Sequence, residues 1–91
     1  MGGQEKLLEV FETIDARGWE PPEPMVRVLK ALDDLPRGSK IVVLLDCEPR
    51  PLFRILKFQG FDYRSGPVPP GHFEVTIWRA ADASAPRGSP G

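Results

Sequence analysis

DARGWEPPEPMVRVLKAL, residues 15–32, joins two kinds of hydrophobic periodicity across a proline-rich turn. Upstream, LEVFETID (residues 8–15) alternates as a strand does, with Leu8, Val10 and Ile14 on one side and Phe11 and Thr13 on the other. Downstream, Met25, Val28, Leu29, Leu32 and Leu35 recur at helical spacing, which predicts an amphipathic helix ended by Pro36 and Gly38. Proline suits the first helical position because its missing N–H has no intrahelical partner there and its φ is already helical. Pro22 is expected in that place, with Pro21 holding the approach extended and Pro24 still inside the first turn. Glu23 complements the positive end of the helix dipole and lies four residues before Arg27, the order that favours an ion pair. Trp19 is placed to staple the turn onto the first helical residues.

The remaining segments extend this strand–helix unit. KIVVLLD (residues 40–46) is short, apolar and β-branched, as a central strand covered on both faces reads. In CEPRPLFRILKFQGF, which follows, Leu52, Phe53, Ile55 and Leu56 mark a short second helix, with Gly60 just past its end. FDYR (61–64) and HFEVTIWR (72–79) read as two strands joined by SGPVPPG. The order strand, helix, strand, helix, strand, strand predicts an α+β fold. It is a two-layer βαβαββ sandwich with a mixed four-stranded sheet and both helices on one face. Residues 1–80 are expected to form this single domain, and 81–91, ADASAPRGSPG, a disordered tail. With Phe73, Val75 and Ile77 facing the helices, His72, Glu74, Thr76 and Trp78 would face outward. Phe11, Val42, Leu44 and Trp78 would then form an apolar patch on the uncovered face, suited to a partner or a homodimer contact.

Composition bounds the function. Of 91 residues 41% are hydrophobic and 27% charged, and the net charge is −1, which gives no basic field for gripping nucleic acid. No window approaches the run of about 18 apolar residues that a membrane span needs, and no signal peptide is read at the start, so the expected location is the cytoplasm. Cys47 is the only cysteine, which rules out an intrachain disulfide and an all-cysteine zinc site. His72, alone beside Gly71 and Glu74, reads as a solvent-exposed strand residue. No metal site and no cofactor are expected.

Asp15-Ala16-Arg17-Gly18 followed by Pro21-Pro22-Glu23-Pro24 resembles the signature of the TusA/SirA-like sulfur-carrier proteins. In that family a strand ending in D-x-R-G runs into C-P-x-P at the start of the first helix. The similarity of length and element order extends over about residues 8–79. In the carriers the cysteine of C-P-x-P accepts a persulfide sulfur and passes it on, at a helix N-terminus that lowers its pKa. Here that position is Pro21, so the resemblance implies a carrier scaffold without the carrier's nucleophile. The chain resembles an uncharacterised branch with P-P-E-P, followed after the central strand by a stretch like Asp46-Cys47-Glu48-Pro49-Arg50-Pro51-Leu52. That branch usually carries histidine before this aspartate and arginine after it. Leu45 and Cys47 stand there instead, so a metal or haem role for that histidine does not transfer.

Three functions follow as expectations. The first is a non-catalytic, non-enzymatic module that binds a protein or small ligand through Arg17, Glu23, Asp46, Cys47, Glu48 and Arg50. A phosphate at the first helix start is not expected, since Pro22 and Pro24 remove donors and Glu20 and Glu23 repel anions. The second is a sulfur or redox relay on Cys47, which falls past the carboxyl end of the central strand, where ligands bind in open α/β sheets. Arg50 and Arg54 would favour its thiolate; Asp46 and Glu48 would oppose it. The third is RNA binding, because the architecture also resembles the C-terminal domain of a translation initiation factor; the near-zero charge opposes it.

Overall fold

The computed structural model describes residues 7–83. The elements are β1 (Glu9–Asp15), α1 (Glu23–Asp33), β2 (Ser39–Leu45), α2 (Arg50–Phe58), β3 (Phe61–Val68), β4 (His72–Arg79) and a final turn α3 (Ala80–Ala83). The sheet runs in the order β1-β2-β4-β3, with β1 parallel to β2 and β4 antiparallel to both its neighbours. Two crossovers of one hand step in the same direction along the sheet, so both helices lie on one face.

Register explains which residues meet there. Ile41, Val43 and Leu45 sit opposite Ile77, Val75 and Phe73, and Ile14 sits opposite Val43. Of these, Ile14, Ile41, Val43, Leu45, Val75 and Ile77 form one cluster with Val28, Ala31, Leu32, Leu35, Leu52 and Leu56 from the helical layer. A buried aliphatic side chain of this size contributes about 1.5–3 kcal/mol by leaving water, so this seam is the main source of stability.

Local departures from the sequence expectation have physical causes. A bulge between Val10 and Glu12 breaks the alternation of β1. Val10 is paired with Lys40, on the opposite face from Ile14, and Glu12 turns to the helices, where Arg27 donates to its carboxylate. Arg27 therefore pairs with the strand and not with Glu23. Pro22 is the residue flanking α1, and Glu23 and Pro24 are its first two helical residues. The third strand runs on through Ser65, Gly66, Pro67 and Val68 instead of stopping at Arg64. An edge strand tolerates a proline because its outer N–H needs no ladder partner.

The uncovered face of the sheet differs from the expected exposed patch. Trp78 is only 7% exposed and Thr76 4%. Trp78 lies between Lys40 and Asp62, and Thr76 between Val42 and Arg64, in the strand register. Val42 and Leu44 are half-buried, and Phe11 is exposed beside the bulge of edge strand β1. Residues 80–83 continue β4 as a helical turn, and Gly38 N–H donates to Asp82 Oδ2 at 2.9 Å, tying that turn to the start of β2. The remainder of the expected disordered tail lies outside the described residues. No helix among the described residues is long and apolar enough to cross a membrane.

Candidate functional site

At the carboxyl ends of β1 and β2 the starts of α1 and α2 converge, and between them lies a cavity of about 450 Å³. Its wall is largely carbon: Trp19 and Met25 on one side, Leu45 and Leu52 at the floor, and five prolines around the mouth. The prolines are Pro21, Pro22 and Pro24 before and within α1, and Pro49 and Pro51 at α2. Pockets of this size and character are typical of small-ligand sites.

The charged residues of the D-A-R-G stretch build the turn instead of lining the cavity. Asp15 Oδ1 accepts from Arg17 Nε and Oδ2 from Arg17 Nη2, each at 2.7 Å, and Oδ1 also accepts from the Arg17 backbone N–H at 3.3 Å. This fork-to-carboxylate pairing holds the Asp15 carboxyl at about 2, below the usual carboxylate range, and raises the pKa of Arg17. Gly18 follows with φ +84°, a conformation that side-chain-bearing residues rarely adopt, and its N–H donates to Asp46 Oδ2 at 2.6 Å. The other oxygen of Asp46 faces His72 Nε2 at 3.7 Å, an ion pair when the imidazole is protonated. Asp46 thus braces three segments: the turn after β1, the loop after β2 and the start of β4.

Of the residues singled out in the sequence, Asp46, Cys47 and Glu48 line the cavity. Cys47 is a free, exposed thiol on its wall. Glu23 and Arg50 are the first residues of their helices and are exposed. Arg50 Nε lies 3.6 Å from Glu48 Oε1. Arg17 is occupied by Asp15 and is not part of the wall. Phe11, Val42, Leu44 and Trp78 are remote from this cavity, since the last three lie on the other face of the sheet.

Sequence reasoning did not place the apolar lining at the site, Trp19, Met25, Leu45 and Leu52 having been read as staple, helix face and strand, and it also missed His72, Pro49 and Pro51. His72 is half-buried and directed at Asp46, not solvent-exposed as expected. Pro49 and Pro51 were named only within the stretch that carries the family resemblance; the available signal was that Pro49-Arg50-Pro51 repeats the proline spacing of Pro22-Glu23-Pro24. Among the described residues no group of three or more histidine, cysteine or acidic side chains is placed to hold a metal ion.

A family model described as an uncharacterized conserved protein, DUF2249, matches residues 13–79. A SirA-like protein from Desulfitobacterium hafniense, known from its crystal structure, is similar to this chain at 32% identity and a TM-score of 0.66. The match covers 72% of this chain and 93% of that one. No curated protein matches.

Proposed function

This chain belongs to the DUF2249 family, within the TusA/SirA-like superfamily, and from that premise we propose that it is a non-catalytic binding module whose ligand occupies the cavity between the two helix starts. The observation that carries this reading is the cavity itself, about 450 Å³ with an apolar wall at the end of the sheet where the superfamily keeps its reactive group. Pro21 stands at the position of the carrier cysteine and offers no nucleophile there, which supports a binding role for this end of the sheet. Apolar burial drives occupancy, and Asp46, Cys47 and Glu48 supply the few polar atoms that orient the ligand.

A panel of small neutral apolar molecules, titrated while the Trp19 indole resonance is followed by NMR, tests this. Binding should shift Trp19 and be lost in Cys47→Trp, which fills the cavity from an exposed position. A panel that leaves Trp19 unmoved, or a filled variant that binds as before, would count against the reading.

One observation favours a second reading, a sulfur relay on Cys47: its thiol is exposed on the cavity wall. In such a relay the Cys47 thiolate attacks the outer sulfur of a donor persulfide, forming a new persulfide and releasing the donor thiolate. Intact mass after incubation with a cysteine desulfurase and cysteine decides it. One added sulfur, absent in Cys47→Ser, supports the relay; an unmodified chain removes it.

A further inference from the structure

We infer that the cavity selects a small organic cation, an apolar body ending in an ammonium group, and rejects the anion of the same shape. The inference rests on the cavity being a ligand site and adds the charge of the ligand.

Two helix N-termini meeting at one cavity would ordinarily make an anion site, through free N–H groups and the positive ends of two dipoles. Here the prolines lack donors, and most of the N–H groups at the two helix starts are already used. Pro21, Pro22, Pro24, Pro49 and Pro51 have no N–H. The N–H groups of Glu23, Arg50 and Leu52 donate to the carbonyls of Glu20, Glu48 and Pro49 at 2.9, 3.0 and 3.0 Å. In the connecting turn, Gly18 N–H is taken by Asp46 and Trp19 N–H by the Ala16 carbonyl. An anion entering this mouth would leave its water shell and find few donors in return, which is costly.

The charges around the mouth point the same way. Asp46 and Glu48 line it, and the exposed Glu20 and Glu23 alternate with the lining prolines. Facing these four carboxylates are Arg50 beside Glu48, the His72 imidazole beside Asp46, and two helix ends worth roughly half a unit charge each. Arg17 is neutralised by its own pair with Asp15. The local balance is therefore negative in a molecule whose total charge is only −1. Trp19 in the wall adds an aromatic surface of the kind that attracts ammonium groups.

Three probes with one apolar body separate the possibilities: phenethylamine, phenethyl alcohol and hydrocinnamate at neutral pH. The indole resonances report binding, with Trp19 in the cavity wall and Trp78 on the other sheet face as internal control. The amine should bind tightest and the carboxylate weakest, about tenfold apart, with the gap closing as salt is raised. Exchanging the exposed Glu23 and Glu48 for glutamine should weaken the amine about fivefold and the alcohol less than twofold, so that the preference for the amine over the alcohol falls. Hydrocinnamate binding as tightly as the amine, with the alcohol also bound, overturns the charge selection and leaves the cavity reading standing. No shift of Trp19 with any probe, or a shift of Trp78 alone, overturns both.

Discussion

Pro22-Glu23-Pro24-Met25 opens α1 and Pro49-Arg50-Pro51-Leu52 opens α2 with the same spacing: a proline just outside, a charged residue first, a second proline, then an apolar side chain. Neither flanking proline offers a capping hydrogen bond from its side chain. The two starts differ in the sign of the first residue and in how deep the fourth lies. Glu23 suits the dipole of its helix; Arg50 opposes its own and is held near Glu48. Leu52 and Met25 both line the cavity, but Leu52 is almost wholly buried at its floor, whereas Met25 is only partly buried against the core. Both helices therefore begin with prolines and without a side-chain cap, and they differ in the positions around those prolines.

The largest test of that difference is truncation of the fourth residue. Leu52→Ala should cost about 3 kcal/mol, and Met25→Ala about 1 kcal/mol, because both line the cavity but Leu52 is almost wholly buried and Met25 only partly so. Equal losses in urea denaturation would mean that the two starts are equally anchored. Next in size is the turn that delivers the chain to α1. Gly18→Ala should lose about 1 kcal/mol from its φ of +84° alone, since an added methyl meets nothing within 4 Å. A neutral substitution would show that this turn relaxes freely.

Exchanging the charges is subtler. Glu23→Arg should lose about 0.5 kcal/mol at low salt, while Arg50→Glu should gain less than that, because the new carboxylate faces Glu48. Symmetrical changes of opposite sign would show that the dipole acts alone. The smallest effect is in pH. Asp15 titrates at about 2 when folded and near 4 when unfolded. Its contribution is present above pH about 4 and is lost as the pH falls through about 2. Asp15→Asn should flatten the stability profile of that window, and an unchanged profile would assign the acid sensitivity elsewhere.

Much of this architecture was legible because the deciding signals are strong locally. The uninterrupted Ile41–Leu45 run reads as a central strand, and Gly60, with φ +88°, stands where a helix end was expected. The bulge in β1 was not legible, because an inserted residue keeps the same composition while reversing which side Val10 faces. The length of β3 was hidden by Gly66 and Pro67, which read as turn residues until their place on an edge is known. At the site, Asp46, Cys47 and Glu48 were expected, Cys47 from its position after the central strand, and the structure puts all three on one cavity wall. His72 was missed because its partner, Asp46, is brought to it only by the antiparallel pairing of β4 with β2.

The bulge of β1 and Pro67 of β3 share one consequence. They interrupt the two outer strands of the sheet, one by reversing its pattern and the other by removing a donor. Interrupted borders are poor templates for adding a strand from another molecule. Growth of the sheet into a continuous intermolecular ribbon is thereby discouraged on both sides.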